Sequence, residues 1–165
     1  MAKVVQKGGT SLMGTRTEKG QAFEAKVARW ARKEFGAVLV KQNQLFKGKT
    51  AVRPFEVDIV LWTKAGVVAA EDVIWIECKD RKASIKRTDI FKLLESARDV
   101  KRTVGPTPFV RMTDKRGEEW DYLVFVSTAK FDADAVNFAE KNNVACYYHD
   151  GRAFQKVVGF KRSWF

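Results

Sequence analysis

The spacing of apolar residues changes several times along this chain, and each change marks an element. Phe23, Val27, Trp30 and Ala31 recur at intervals of three and four before Gly36 interrupts them, which predicts an amphipathic helix over residues 18–35 with Thr17 as its N-cap. Residues 37–40 are a short apolar run and predict a strand, and the polar stretch 42–53, with Gly48 inside it, predicts a turn or loop. Residues 55–62 and 73–79 are rich in Val, Ile and aromatics and predict two neighbouring strands. Helical spacing returns with Ile90, Phe91, Leu94, Ala97 and Val100, and Gly105-Pro106 is the stop signal. Residues 107–120 carry Pro108 and a charged run and predict an excursion without regular form. Residues 122–126 predict a strand, Asp132 caps a helix to about Lys141, residues 144–148 predict another strand, and residues 153–158 predict a last helix after an Asp150-Gly151 turn. The order α-β-β-β-α-β-α-β-α favours an α/β fold with a mixed central sheet flanked by helices. It forms a single domain over residues 18–165, after a flexible basic arm over residues 1–17.

At 165 residues the chain is long enough to bury a core without disulfides or a structural metal. Its two cysteines, Cys78 and Cys146, form no C-x-x-C pair and no Cys/His cluster, so packed thiols in a reducing cytoplasm are the expectation. The apolar run 65–70 is too short to span a bilayer, and residues 1–17 lack the apolar segment of a secretory signal. Charge is uneven. Residues 1–53 hold 12 Lys+Arg against 3 Asp+Glu, while the formal net charge of the whole chain is +11. A positive excess gathered at one end attracts a polyanion, and nucleic acid is the expected one. An anionic membrane is disfavoured, because no long basic helix carries a continuous apolar face.

Two carboxylates stand where a strand wants to be buried. Asp58 lies within the run 55–62 and Glu77 closes the run 73–77, and an unpaired buried carboxylate is costly. Side chains alternate along a strand, so Glu77 and Lys79 project to one face and Cys78 to the other. If the strands pair, Asp58 joins them, and two acids that close repel unless a cation sits between them. Oxygen donors with retained waters are the ligands Mg²⁺ prefers, and Lys79 adds a point positive charge suited to a phosphate. Glu24 sits at the edge of the first helix's apolar stripe, where a side chain still reaches inward.

These residues carry a resemblance. Lys19-Gly20-Gln21-Ala22-Phe23-Glu24 on a first helix, then Phe55-Glu56-Val57-Asp58-Ile59-Val60, then Ile74-Trp75-Ile76-Glu77-Cys78-Lys79 resemble the PD-(D/E)xK nuclease superfamily. Within it the chain is most similar to Mrr-type restriction endonucleases and archaeal Holliday-junction resolvases. The resemblance implies a restriction-endonuclease-like core, Mg²⁺ dependence with Mn²⁺ as a substitute, and phosphodiester hydrolysis in DNA, in a prokaryotic or phage cytoplasm at the nucleoid. It assigns Asp58 and Glu77 to the metal, with the backbone carbonyl of Cys78 as a further ligand. It makes Lys79 the catalytic lysine and Glu24 the helix acid that completes the site directly or through water. It also implies a homodimer, by analogy with minimal nucleases of this core that cut both strands. No proline immediately precedes Asp58, a departure from the motif.

The expected DNA-binding cations are Lys19, Lys47, Lys49 and Arg53 from the basic third, and Arg81, Lys82, Lys86 and Arg87 beside the catalytic strand. A structure-specific resolvase and a non-catalytic DNA-binding module are the rival readings. His149 is expected to be a surface or capping residue, and Trp30, Trp62 and Trp75 to belong to the core.

Overall fold

The computed structural model describes residues 18–48, 50–65, 70–100 and 120–161. The basic arm, Thr17, Lys49, Gly105-Pro106, the charged excursion up to residue 119 and the last four residues lie outside that range. Helix α1 (Glu18–Glu34) leads into an antiparallel meander of β1 (Ala37–Phe46), β2 (Phe55–Ala65) and β3 (Ala70–Lys79). Then follow α2 (Arg87–Asp99), β4 (Tyr122–Ser127), α3 (Ala133–Lys141), β5 (Val144–His149) and β6 (Phe154–Val158). The strands form a six-stranded mixed sheet in chain order, with β3, β4 and β5 parallel and β6 antiparallel to β5. The chain is thus an α/β protein whose sheet is flanked by helices.

Two successive crossovers of one hand, β3-α2-β4 and β4-α3-β5, bring their helices to the same face of the sheet and leave the other face to α1. The core divides accordingly. Trp75, Val60, Val73 and Phe125 pack with Ile90 and Leu93 of α2 and Ala135 and Ala139 of α3. Ile59, Leu61, Ile74, Ile76 and Cys78 pack with Phe23, Val27 and Ala31 of α1. This is the period-two alternation expected of strands covered on both sides, and each large apolar side chain so buried contributes about 1.5–3 kcal/mol. Trp75 and Trp62 are in the core, while Trp30 is half-buried and stacks on Phe154 at 4.4 Å between centroids.

Three expectations need correction. Residues 42–46 are not loop: β1 continues to Phe46, and its polar residues are tolerated because β1 is an edge strand with one unpaired side. Residues 154–158 form strand β6 and not a helix, because Phe154 and Val158 imitate helical spacing in a segment whose other residues, Gln155, Lys156 and Val157, are exposed on an edge strand. Helix α2 ends at Asp99, before the Gly-Pro signal, where Val100 turns extended (φ −70°, ψ 122°) and bridges to Gly48.

Candidate active site

The site forms where the sheet parts. The β2–β3 register runs down to Ile59 opposite Ile76. Beyond that point β2 stays with β1, Val57 facing Gln44, while β3 continues along β4, Glu77 facing Phe125 and Lys79 facing Ser127. On β1, Asn43 between the partners of Val57 and Ile59 takes a left-handed backbone (φ 55°), which Asn tolerates better than most residues. In the gap the Cys78 N–H donates to Asp58 Oδ2 at 2.8 Å, so a carboxylate takes the place of a ladder carbonyl.

Glu77 and Lys79 share a face as the strand alternation requires, and Asp58, bonded to the Cys78 backbone between them, lies near enough for their charges to act on it. Lys79 Nζ donates to Glu77 Oε1 at 2.5 Å on the α2 side of the sheet. Asp58 and Glu24 are both buried, 8% exposed each. Burial first, and then the charges of Glu77 and Glu24, push the Asp58 carboxyl up to about 7 against the opposing Cys78 N–H and Lys79. Burial pulls the Lys79 ammonium down, but the charge and hydrogen bond of Glu77 and the charge of Asp58 outweigh it and raise the group above the usual lysine value. Lys79 is therefore held as a cation, a point charge and donor and not a base. The Cys78 thiol is driven well up by burial and then by Asp58, Glu77 and Glu24, so it is an inert packed thiol. Glu24 owes its place to α1, whose inward stripe of Phe23, Val27, Ala28 and Ala31 carries it to the face opposite Glu77.

Among the described residues no three His, Cys, Asp or Glu side chains come together as a ready-made metal cage. The donor set that the site does offer is two hard carboxylates, Asp58 and Glu77, with Glu24 close enough to raise the Asp58 carboxyl. Oxygen donors of this kind fit a divalent cation that keeps most of its waters, and its charge would offset the burial and the neighbouring acids that raise Asp58.

Glu77 and Lys79 line an open cleft of about 340 Å³ between the sheet and α2, together with Phe55, Glu56, Trp75, Arg81, Asp89, Lys92, Leu93 and Ser96. Asp58 and Glu24 do not line it. The loop after Lys79 is fixed by contacts that the sequence did not reveal. Arg81 Nη1 donates to Asp89 Oδ1 at 3.1 Å, its Nη2 to Asp89 Oδ2, and its other bonds go to the carbonyls of Ala83 and Ser84, each at 3.1 Å. The Arg81 N–H donates to Thr128 Oγ1 at 3.1 Å, and that hydroxyl donates to Asp80 Oδ1 at 2.9 Å. Asp89, the third residue of α2, was detectable only as an acid in a helix's first turn.

The expected DNA-binding cations separate into three groups. Lys47 and Arg53 are exposed on the β1–β2 loop, Lys49 lies outside the described residues, and Lys82 is exposed after β3. Arg81 is committed to Asp89. Lys86 Nζ lies 3.1 Å from Asp132 Oδ2, and the Arg87 guanidinium sits 4.8 Å from the Phe138 ring centre. Lys19, mostly exposed, reaches Asp80 at 3.8 Å and ties the start of α1 to the end of β3. His149 is buried, not on the surface: its Nδ1 accepts from the Gly151 N–H at 3.2 Å, a capping role, and its ring packs against Phe23 and Phe154.

No protein-family model matches the chain, and no curated protein matches it. Among solved structures it is similar to the crystal structure of a protein of unknown function, AF1548, with a TM-score of 0.53 and 17% identity over 75% of this chain and 56% of that one. The chain therefore spans little more than half of that protein, and the likeness is one of fold.

Proposed function

We propose that the chain is a divalent-metal-dependent DNA endonuclease with a restriction-endonuclease-like core of the PD-(D/E)xK superfamily. The observation that carries the reading is the Glu77–Lys79 pair beside Asp58 at the parting of β2 and β3, with Asp58 pushed up to about 7 by burial and neighbouring acids. An acid cluster kept in this state is unfavourable for folding and suited to binding a cation.

Asp58 and Glu77 would hold the ion, with the Cys78 carbonyl and Glu24 completing its surroundings. A bound Mg²⁺ or Mn²⁺ polarises a phosphoryl oxygen and lowers the pKa of a bound water. The chain's own residues do the rest. Glu77 keeps Lys79 protonated and aimed, and the Lys79 ammonium donates to a non-bridging phosphate oxygen or orients the attacking water, where its charge counts most as negative charge builds. Trp75 and Leu93 give the cleft an apolar floor, which lowers the local dielectric around that cation.

The test is cleavage of supercoiled plasmid and of a synthetic four-way junction with Mg²⁺, Mn²⁺ or EDTA, by the wild-type protein and by Lys79→Ala. Metal-dependent cutting that falls by about 10²–10³-fold in the variant, with DNA affinity kept, is the expected result. Preference for the junction would make the enzyme a resolvase. Binding without cutting in any metal would overturn the nuclease reading in favour of a non-catalytic module.

A further inference from the structure

The connection between β1 and β2 spans residues 47–54, longer than the two to five residues of an ordinary hairpin. It is also pinned from outside. Asp99, the last residue of α2, accepts from the Thr50 N–H at 2.8 Å, from Thr50 Oγ1 at 2.5 Å and from the Ala51 N–H at 3.0 Å. A carboxylate at a helix C-terminus faces the negative end of the dipole, so Asp99 is unfavourable for the helix itself, whereas the Thr50 and Ala51 donors tie it to this loop. Gly48 forms a bridge with Val100, and a Cβ there would run into Asp99 Oδ2 and meet the Phe55 ring at 2.8 Å, so glycine suits the approach.

Held this way, the loop turns Lys47, Val52 and Arg53 to solvent, Val52 being fully exposed at 101%. It contains no acid. After Pro54 the chain enters Phe55 and Glu56, which line the cleft with Glu77 and Lys79. A rigid, cationic tip beside a cleft that holds a cation of its own is complementary to a run of phosphates, and rigidity removes the ordering cost of binding one.

Resting on the nuclease reading, we propose that this loop is a preorganised grip on one DNA strand. Lys47 and Arg53 take phosphates next to the one at the cleft, Val52 lies against the sugar edge, and Asp99, which touches no DNA, is the positioning residue.

The experiment measures binding of a fluorescent DNA duplex across a salt series, and turnover in Mg²⁺, for wild type, Lys47→Ala/Arg53→Ala, Asp99→Ala and the triple variant. The double variant weakens binding about tenfold or more, and the slope of log affinity against log salt becomes shallower by about 2, one for each lost phosphate contact. Asp99→Ala weakens binding several-fold, raises KM with kcat kept, and adds nothing in the double-variant background. That non-additivity is one a merely structural role would not produce. Asp99→Asn, which keeps one acceptor oxygen, recovers part of the loss. The exposed Lys47 and Arg53 carry the test if Asp99→Ala fails to fold. Unchanged affinity in the double variant, or full additivity with Asp99→Ala, overturns the proposal even where cleavage proceeds. Loop-dependent binding with no cleavage in any metal upholds it and sinks the nuclease reading, and no DNA binding by the wild type sinks both.

Discussion

Two carboxylate–cation pairs line the same cleft, and they are built to opposite ends. At the start of α2, Asp89 receives two bonds from Arg81 and one from the Lys86 N–H at 2.8 Å. Burial alone would raise its carboxyl, but these donors hold it below the usual value, so the ion is stabilised by folding. At the end of β3, Glu77 shares Lys79 with a crowded neighbour, Asp58, whose carboxyl folding pushes up to about 7. The first pair consolidates a loop, while the second stands beside an acid, Asp58, whose ionised form folding disfavours. The surroundings decide which is which: a guanidinium fork and a helix N-terminus surround Asp89, while at Asp58 the Cys78 N–H and the charge of Lys79 are outweighed by burial and the neighbouring acids.

The sharpest way to break the contrast is Asp58→Asn. On the nuclease reading it lowers metal-dependent cleavage by about 10²–10³-fold or more, and it abolishes the rise in Tm that millimolar MgCl2 gives the wild type. Without metal the same substitution stabilises the fold at pH 7. The folded carboxyl titrates near 7, above the usual 3.8, so its stabilising contribution is complete below about pH 3.8 and is lost as pH rises through 7. Holding the ion there costs on the order of 3–4 kcal/mol, which Asn removes while still accepting from Cys78. Urea unfolding at pH 5 and pH 8 with EDTA checks this; equal stability of wild type and variant at pH 8 would refute it. Next in size is Arg81→Ala, which leaves Asp89 partly buried without its partner and lowers stability by about 1–3 kcal/mol, most of it lost again in wild type as pH falls and Asp89 protonates. Smallest is Asp132→Ala, which removes the α3 cap bond to the Ala135 N–H at 2.8 Å and lowers Tm slightly in thermal unfolding, with no effect on cleavage.

Much of the candidate site's placement was legible in the sequence because it depends on local rules. An acid inside an apolar strand, and a lysine two positions beyond another acid, fix Asp58, Glu77 and Lys79 once two strands pair, and Glu24 follows from the edge of a helical stripe. The order of elements followed from spacing up to the last one. What escaped was either contact at long separation or edge behaviour. Nothing around Asp99 announces that it binds Thr50, 49 residues away, and nothing in Arg81 says that its fork closes on Asp89 and not on a phosphate. Edge strands need only one apolar face, so β1 read as half loop and β6 as a helix. The parting of β2 from β3 was also invisible, since it arises from both strands choosing other partners.

That parting has a consequence for synthesis. All four site residues lie within the first 79, on α1 and the β1–β3 meander, whereas the far edge of β3 pairs with β4, 48 residues further along at Glu77 and Phe125. As the chain leaves the ribosome the acids are assembled first, and Ile74, Trp75 and Ile76 stand on an open strand edge until β4 arrives. The interval between those two events is the one in which a chaperone has most to protect.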